Sequence, residues 1–408
     1  MPEHVETIII GAGQAGLAMS HHLRQRGCEH VILERARIAE RWRSERWDSL
    51  HFQFPNWMMR LPGHVYAGGD PDGFMHRDGV VDFISSYALR IAAPVRCGVN
   101  VEALRLTDHG RFRVEAGSMT TEANHVVVAT GPYQSPRIPE AAARIPAAIR
   151  QVTANRYTNA MELPPGGVLV VGSGASGCQI VEDLLREGRS VHYALRGHRR
   201  VPRRYRGRDF GQWNEEMGLT NRTVDQIPPG FRPPLVTGFQ GGHTVDLRGM
   251  ASRGAMLLGS LRDVRDGRAC FAADLNANLD AGDASFRETL RAIDRHIDAK
   301  GIAAQPRGEF AAAMAMPCPA LREGEALGLR DAGIGTVIWA LGYGYDFAWI
   351  KCPVLDSLGA PLHRRGVTAA PGLYFLGLPR LHKMKSAFLW GVGEDAERLA
   401  EHIASRAR

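Results

Sequence analysis

Residues Val5 to Ile10 form an apolar run dominated by β-branched side chains, and at Gly11 the pattern changes at once to helical spacing. This predicts a buried strand, a tight turn, a helix over Leu17 to Arg26 closed by Gly27, and a second strand over Val31 to Leu33 ending in Glu34. The same order returns later in the chain. Pro164-Pro165-Gly166 punctuates it, Val168 to Val171 reads as a strand, Cys178 to Arg186 as a helix closed by Gly188, and Ser190 to Leu195 as the next strand. Short buried strands are also predicted at Val126 to Val128 and near the end, at Pro371 to Gly377. Strands alternating with helices in this way predict an α/β chain built from Rossmann-like three-layer units.

Both strand-to-helix joints carry a glycine triplet, and the chemistry asks for glycine at those positions. Gly11 permits the sharp turn, Gly13 lets the backbone approach a pyrophosphate, and Gly16 lets helix and strand pack closely. Gln14 and Ala15 lie between them at the helix start, where free amides face phosphate charge. Glu34 stands 23 residues after Gly11, placed to accept both ribose hydroxyl protons. In the second joint Gly172, Gly174 and Gly177 repeat the triplet around Ser176. Its far end differs, because Leu195 occupies the place of the acid and Arg196, His198, Arg199 and Arg200 follow. An acid there repels a ribose 2′-phosphate, whereas arginine pairs with it, so NADPH is expected over NADH. Two dinucleotide sites in one chain imply electron transfer between two redox rings.

Composition narrows the picture. At 408 residues two associated domains are expected, and a net charge of +7 leaves room for a basic cofactor groove without indicating nucleic acid. The densest basic stretch, Arg196 to Arg208, suits a phosphate-bearing small molecule. No pair among Cys28, Cys97, Cys178, Cys270, Cys318 and Cys352 has CxxC spacing, which argues against a redox disulfide and against a metal cluster, so no metal is expected. No apolar run reaches the roughly 20 residues of a membrane span. The opening residues lead straight into a strand, not into an export peptide, so a cytoplasmic protein is expected.

Several segments resemble the class B flavin-containing monooxygenases and the wider two-dinucleotide-domain flavoproteins. The first triplet is followed by Val126 to Gly131, with Thr130-Gly131 at the position where that family crosses to its second domain. After Glu34 come Ala39 to Arg43, Arg46 to Phe52 and Phe54-Pro55-Asn56-Trp57, matching the region that folds over the flavin. Val337 to Tyr343 is similar to the family's second crossing, with leucine replacing threonine. The resemblance implies FAD at the first triplet and NADPH at the second, with Asn56 as the catalytic side chain near the flavin and nicotinamide. It also implies cofactor contacts from Arg35, Trp42, Trp47, His51, Thr130, Gly131, Lys385 and Asp395. The family fingerprint between the triplets ends in an aromatic, matched by Tyr157, but Thr153 stands where the family has histidine.

The implied organisation is a discontinuous FAD domain, residues 1–150 and 325–408, with the NAD(P)H domain at 151–324 inserted in it. The stretch between Arg196 and Thr336 exceeds a minimal Rossmann completion, so a role lining the substrate pocket or a subunit contact is expected there, with Tyr205, Trp213, Arg232 and His243 as candidate substrate contacts. The implied activity is NADPH-dependent monooxygenation of a small organic substrate with dioxygen through a C4a-(hydro)peroxyflavin, in a protein that could form a homodimer. Two other readings stay open: an NAD(P)H-dependent FAD oxidoreductase without oxygen insertion, and a flavin-stabilised regulatory or binding protein.

Overall fold

The structure is a computed structural model that describes residues 3–307 and 326–406; Cys318 lies outside them. Two sheets organise the chain. In the first, strands run in the order His363–Arg364, Val367–Thr368, Leu373–Phe375, Met119–Val128, Glu3–Ile10, His30–Glu34 and Val95–Cys97. The last five are parallel neighbours, with Ile8 beside Val126 on one side and Val31 on the other. Ile8, Ile9 and Ile10 are all buried, as a central parallel strand covered on both faces requires. Ala103–Leu106 and Phe112–Ala116 branch from Met119–Val128 as an antiparallel meander, so this sheet is mixed. The helices Gln14–Gln25 and Val392–Arg406 pack against each other, bringing the start and end of the chain together.

The second sheet is parallel throughout, in the order Arg150–Thr153, Ile334–Trp339, Gly167–Val171, Val191–Ala194 and Met256–Leu258. Side chains alternate across it, and the alternation builds two separate cores. Val168, Val170 and Ile338 join Cys178, Ile180 and Val181 of the helix Ala175–Arg186. Leu169, Val171, Val337 and Trp339 join Val264, Ala269 and Phe271 of a small antiparallel sheet on the opposite face. This is the expected three-layer arrangement, helix on one side and meander on the other.

One sequence expectation changes. The sequence pattern groups residues 325–408 with the first domain, but Ile334–Trp339 pairs on both sides within the second sheet. The chain therefore returns to the first sheet after this strand. A long helix spans Leu275–Lys300. Its first half is rich in Asp, Asn, Ala and Gly, which hides the buried face formed by Leu275, Leu279, Gly282 and Phe286. Gly282 is small because the His198 ring lies where its Cβ would be. Among the described residues, no helix is long and apolar enough to cross a membrane, and no group of His, Cys, Asp and Glu could hold a metal ion.

Candidate functional site

The two glycine joints are near copies of each other. Gly11 has φ +108°, and a Cβ there would meet the Ala129 carbonyl oxygen at 2.8 Å. Gly172 has φ +123° and faces the Ala340 carbonyl in the same way. A Cβ on Gly16 would collide with the Gly11 carbonyl, and one on Gly177 with the Gly172 carbonyl. Gly13 and Gly174, which cap the two helices, differ: a Cβ at either would meet nothing within 4 Å. Turn and packing thus fix the outer glycines, while the middle one faces open space. Neither helix start has a side-chain cap, so free amides face that space and suit an anion. Ala15 is buried on the first turn, and Ser176 is half-buried on the other. Gln14 donates to the Ala387 carbonyl at 2.7 Å, tying the first joint to the C-terminal loop.

Glu34 is buried at the end of its strand, where Oε2 accepts from the Ala12 amide at 2.8 Å and Oε1 from the Ala36 amide at 3.0 Å. Each carboxylate oxygen keeps further lone-pair capacity for a ribose hydroxyl. At the corresponding end of the second unit, Ser173 Oγ donates to the Arg196 carbonyl at 2.8 Å and accepts from its amide at 3.1 Å. The Arg196 side chain is exposed and forms no ion pair among the described residues. Arg199 is half-buried, 5.3 Å from the Phe231 ring centroid. Asn56 is buried on a 3-10 turn; its amide nitrogen donates to the Asp70 carbonyl at 2.9 Å, and Oδ1 has no partner. Asp395, on the first turn of the C-terminal helix, also has an unpartnered buried oxygen, and burial raises its carboxyl pKa.

The domains are joined by two adjacent crossings. Ser135–Pro136 and Tyr343–Gly344 pair antiparallel. Gln134 donates to Thr130 Oγ1 at 3.0 Å and to the Gly131 carbonyl at 2.7 Å, and accepts from the Asp346 amide at 2.6 Å. A second tie lies deeper, where Asp183 of the helix Ala175–Arg186 accepts from Ser49 Oγ and from Tyr157 OH, both at 2.6 Å.

Comparison with known proteins agrees with this frame. The chain matches the pyridine nucleotide-disulphide oxidoreductase family over residues 8–207. It is 32% identical to the CzcO-like oxidoreductase of Geobacillus kaustophilus, with 99% of each chain covered. The chain belongs to the CzcO-like oxidoreductase family. It is also 34% identical to the probable indole-3-pyruvate monooxygenase YUCCA1 of Arabidopsis thaliana, over 46% of each chain. The flavin-containing monooxygenase of Stenotrophomonas maltophilia shares the fold, with a TM-score of 0.70, 18% identity and both chains covered completely. The two-domain flavoprotein resemblance therefore holds for the fold, and the protein is an oxidoreductase.

Within this oxidoreductase frame, Trp42 touches both cores, whereas Trp47 belongs to the second and Trp57 packs against the first. Trp42 lies half-buried under the Arg46 guanidinium, 5.5 Å away, and 6.4 Å from Phe52. Rings then continue through Phe54 to Phe388 and Trp390, with Phe54 and Trp390 4.7 Å apart. Trp47 is buried in the second domain's core, against which Trp42 also packs, because its loop crosses to meet Asp183. His51 sits in the same seam, 5.7 Å from Phe239. Arg35 is exposed and pairs with Glu45 at 3.1 Å. Lys385 is buried and pairs with Glu394, which also accepts from Lys383, so one carboxylate is shared between two cations. Tyr205 and Trp213 fill a local core with Ile293 and Ile297, and His243 pairs with Glu182 at 2.7 Å. Gln134 and Asp183 carry no motif that the sequence alone could have singled out, and Ser49 lies in the singled-out Arg46 to Phe52 segment without any sign of its partner.

Proposed function

We propose that this oxidoreductase is an NADPH-dependent flavoprotein monooxygenase that holds FAD at the first glycine joint and NADPH at the second. The observation that carries the reading is the repeated geometry of Gly13 and Gly174: each glycine faces open space at an uncapped helix start. Glu34 receives the ribose of the first cofactor, and the amides after Gly13 receive its pyrophosphate. Arg196 and Arg199 receive the 2′-phosphate of the second. The unpartnered Asn56 Oδ1 remains available to accept a hydrogen bond from a bound nicotinamide or substrate. The aromatic run from Trp42 through Phe52 and Phe54 to Trp390 supplies a wall of rings that excludes water from the reacting end. When bound, FAD supplies hydride acceptance and the activation of dioxygen.

One observation favours electron transfer to an organic acceptor without oxygen insertion. Thr153, at the position the monooxygenase fingerprint gives to histidine, spends its hydroxyl within its own turn, donating to Asn155 at 2.7 Å. The test is NADPH oxidation by the FAD-loaded protein in air against a panel of small organic nucleophiles and carbonyl compounds. Suppressed peroxide release with a product heavier by one oxygen supports monooxygenation. Peroxide formed in step with every NADPH, whatever compound is added, rejects it in favour of the second reading.

A further inference from the structure

Arg199, Arg222, Arg232 and Arg380 gather where the domains touch beside the second glycine joint, close in the chain to Arg196. Arg199 and Arg380 lie 5.3 and 5.5 Å from the centroid of the same ring, Phe231. Arg380 belongs to the first domain, on the loop after the strand Leu373–Phe375, and donates to the Phe231 carbonyl at 3.3 Å. Arg232 donates to the carbonyl of Gly197, the residue after Arg196. Burial, and next the nearby charge of Arg222, lower the pKa of Arg199. The two loops are zipped together here, because the Val224 amide donates to the His382 carbonyl at 3.1 Å and the Met384 amide to the Arg222 carbonyl at 2.9 Å.

None of these five arginines forms an ion pair among the described residues. The adjacent Arg200 and Arg203 are ion-paired, Arg200 with Asp246 and Asp283 and Arg203 with Asp209. Arg199 is half-buried among exposed guanidiniums with which no carboxylate is ion-paired, and an anion placed there would offset their mutual repulsion. Arg380 also adopts a left-handed backbone, φ +57°, which is strained for a residue with a side chain and is typical of binding sites. We propose that Arg380, with Arg199, Arg222 and Arg232, binds the ribose 2′-phosphate of NADPH, so that this one phosphate is held from both domains. The inference rests on the NADPH reading above and adds that specificity is shared with the flavin-side domain. A phosphate dianion matches several guanidinium forks better than a monoanionic carboxylate does.

The test is equilibrium binding of NADPH, NADH and adenosine 2′,5′-bisphosphate to the FAD-loaded protein and its Arg380→Gln and Arg196→Ala variants. Loss of one charge-assisted contact should weaken NADPH and the bisphosphate roughly 10- to 150-fold in Arg380→Gln, with NADH unchanged. Equal loss for NADPH and NADH, or no loss, overturns the proposal. If Arg196→Ala abolishes the preference for NADPH while Arg380→Gln keeps it, the NADPH reading stands and the cross-domain inference falls. Equal affinity of the unaltered protein for NADPH and NADH, with no binding of the bisphosphate, removes both.

Discussion

The side-chain oxygen of Gln134 accepts the backbone amide of Asp346 at 2.6 Å, while its nitrogen donates to Thr130 and Gly131. One side chain thus fastens the outgoing and returning crossings between the domains. Gln134→Ala should cost about 1–2 kcal/mol of stability, since these bonds are partly solvated. It should also speed amide hydrogen exchange around Tyr343 to Asp346. Unchanged exchange there would show that the antiparallel pairing of Ser135–Pro136 with Tyr343–Gly344 holds the seam alone.

The glycines separate fold from ligand. Gly16→Ala forces a Cβ into the Gly11 carbonyl, so about 1–3 kcal/mol of destabilisation is expected from overpacking alone. Gly13→Ala adds its methyl to open space and should leave the melting temperature of the flavin-free protein unchanged while flavin retention drops. Gly174→Ala should do the same for NADPH with flavin content intact. If Gly13→Ala lowers stability as much as Gly16→Ala, the open space is not a ligand site.

Asp183 ties the helix Ala175–Arg186 to the loop of the other domain. It is buried and accepts from Ser49, Tyr157 and Arg186. Burial, and next the Asp183 carboxylate, push the Tyr157 phenol far above its usual range, so it remains a neutral donor. Asp183→Ala should cost about 3–5 kcal/mol, as removal of one member of a buried charged network does. Tyr157→Phe, which removes one bond, should cost about 1–2 kcal/mol. Denaturant melts of the two variants compare these costs, and equal losses would contradict the shared-acceptor arrangement.

Acid should destabilise the protein in a defined window. Burial lowers His22 and His198 to about 4, and both nitrogens of His22 lack partners. The folded state holds these rings neutral, whereas the unfolded chain binds protons below its ordinary value of about 6.5. Stability is therefore fully present above that value and declines as pH falls towards 4. His22→Leu should reduce the slope of unfolding free energy against pH in this window; an unchanged slope removes His22 as a cause.

The local parts of the site were legible in the sequence. Each glycine joint is a contiguous strand, turn and helix, so Gly11 to Gly16, Glu34 and Gly172 to Gly177 follow from local spacing. Partner choice was not legible. Trp47 has the composition of a ring-covering residue, yet its position depends on a loop that crosses to the other domain. Lys385 reads as a free cation until Glu394 is placed beside it. Gln134 and Asp346 are 212 residues apart, and neither has a motif. Ile334–Trp339 looks equally apt for either sheet, because a fully buried parallel strand is apolar on both faces.

The neighbouring strands Arg150–Thr153 and Ile334–Trp339 place both ends of the segment that builds the second sheet side by side. A host domain interrupted in this way loses little when the gap is closed, because closure entropy depends on the distance between the cut ends and only weakly on what loops out between them. The second-sheet segment is in effect a cassette, whose length and content can change while the first sheet keeps its own continuity.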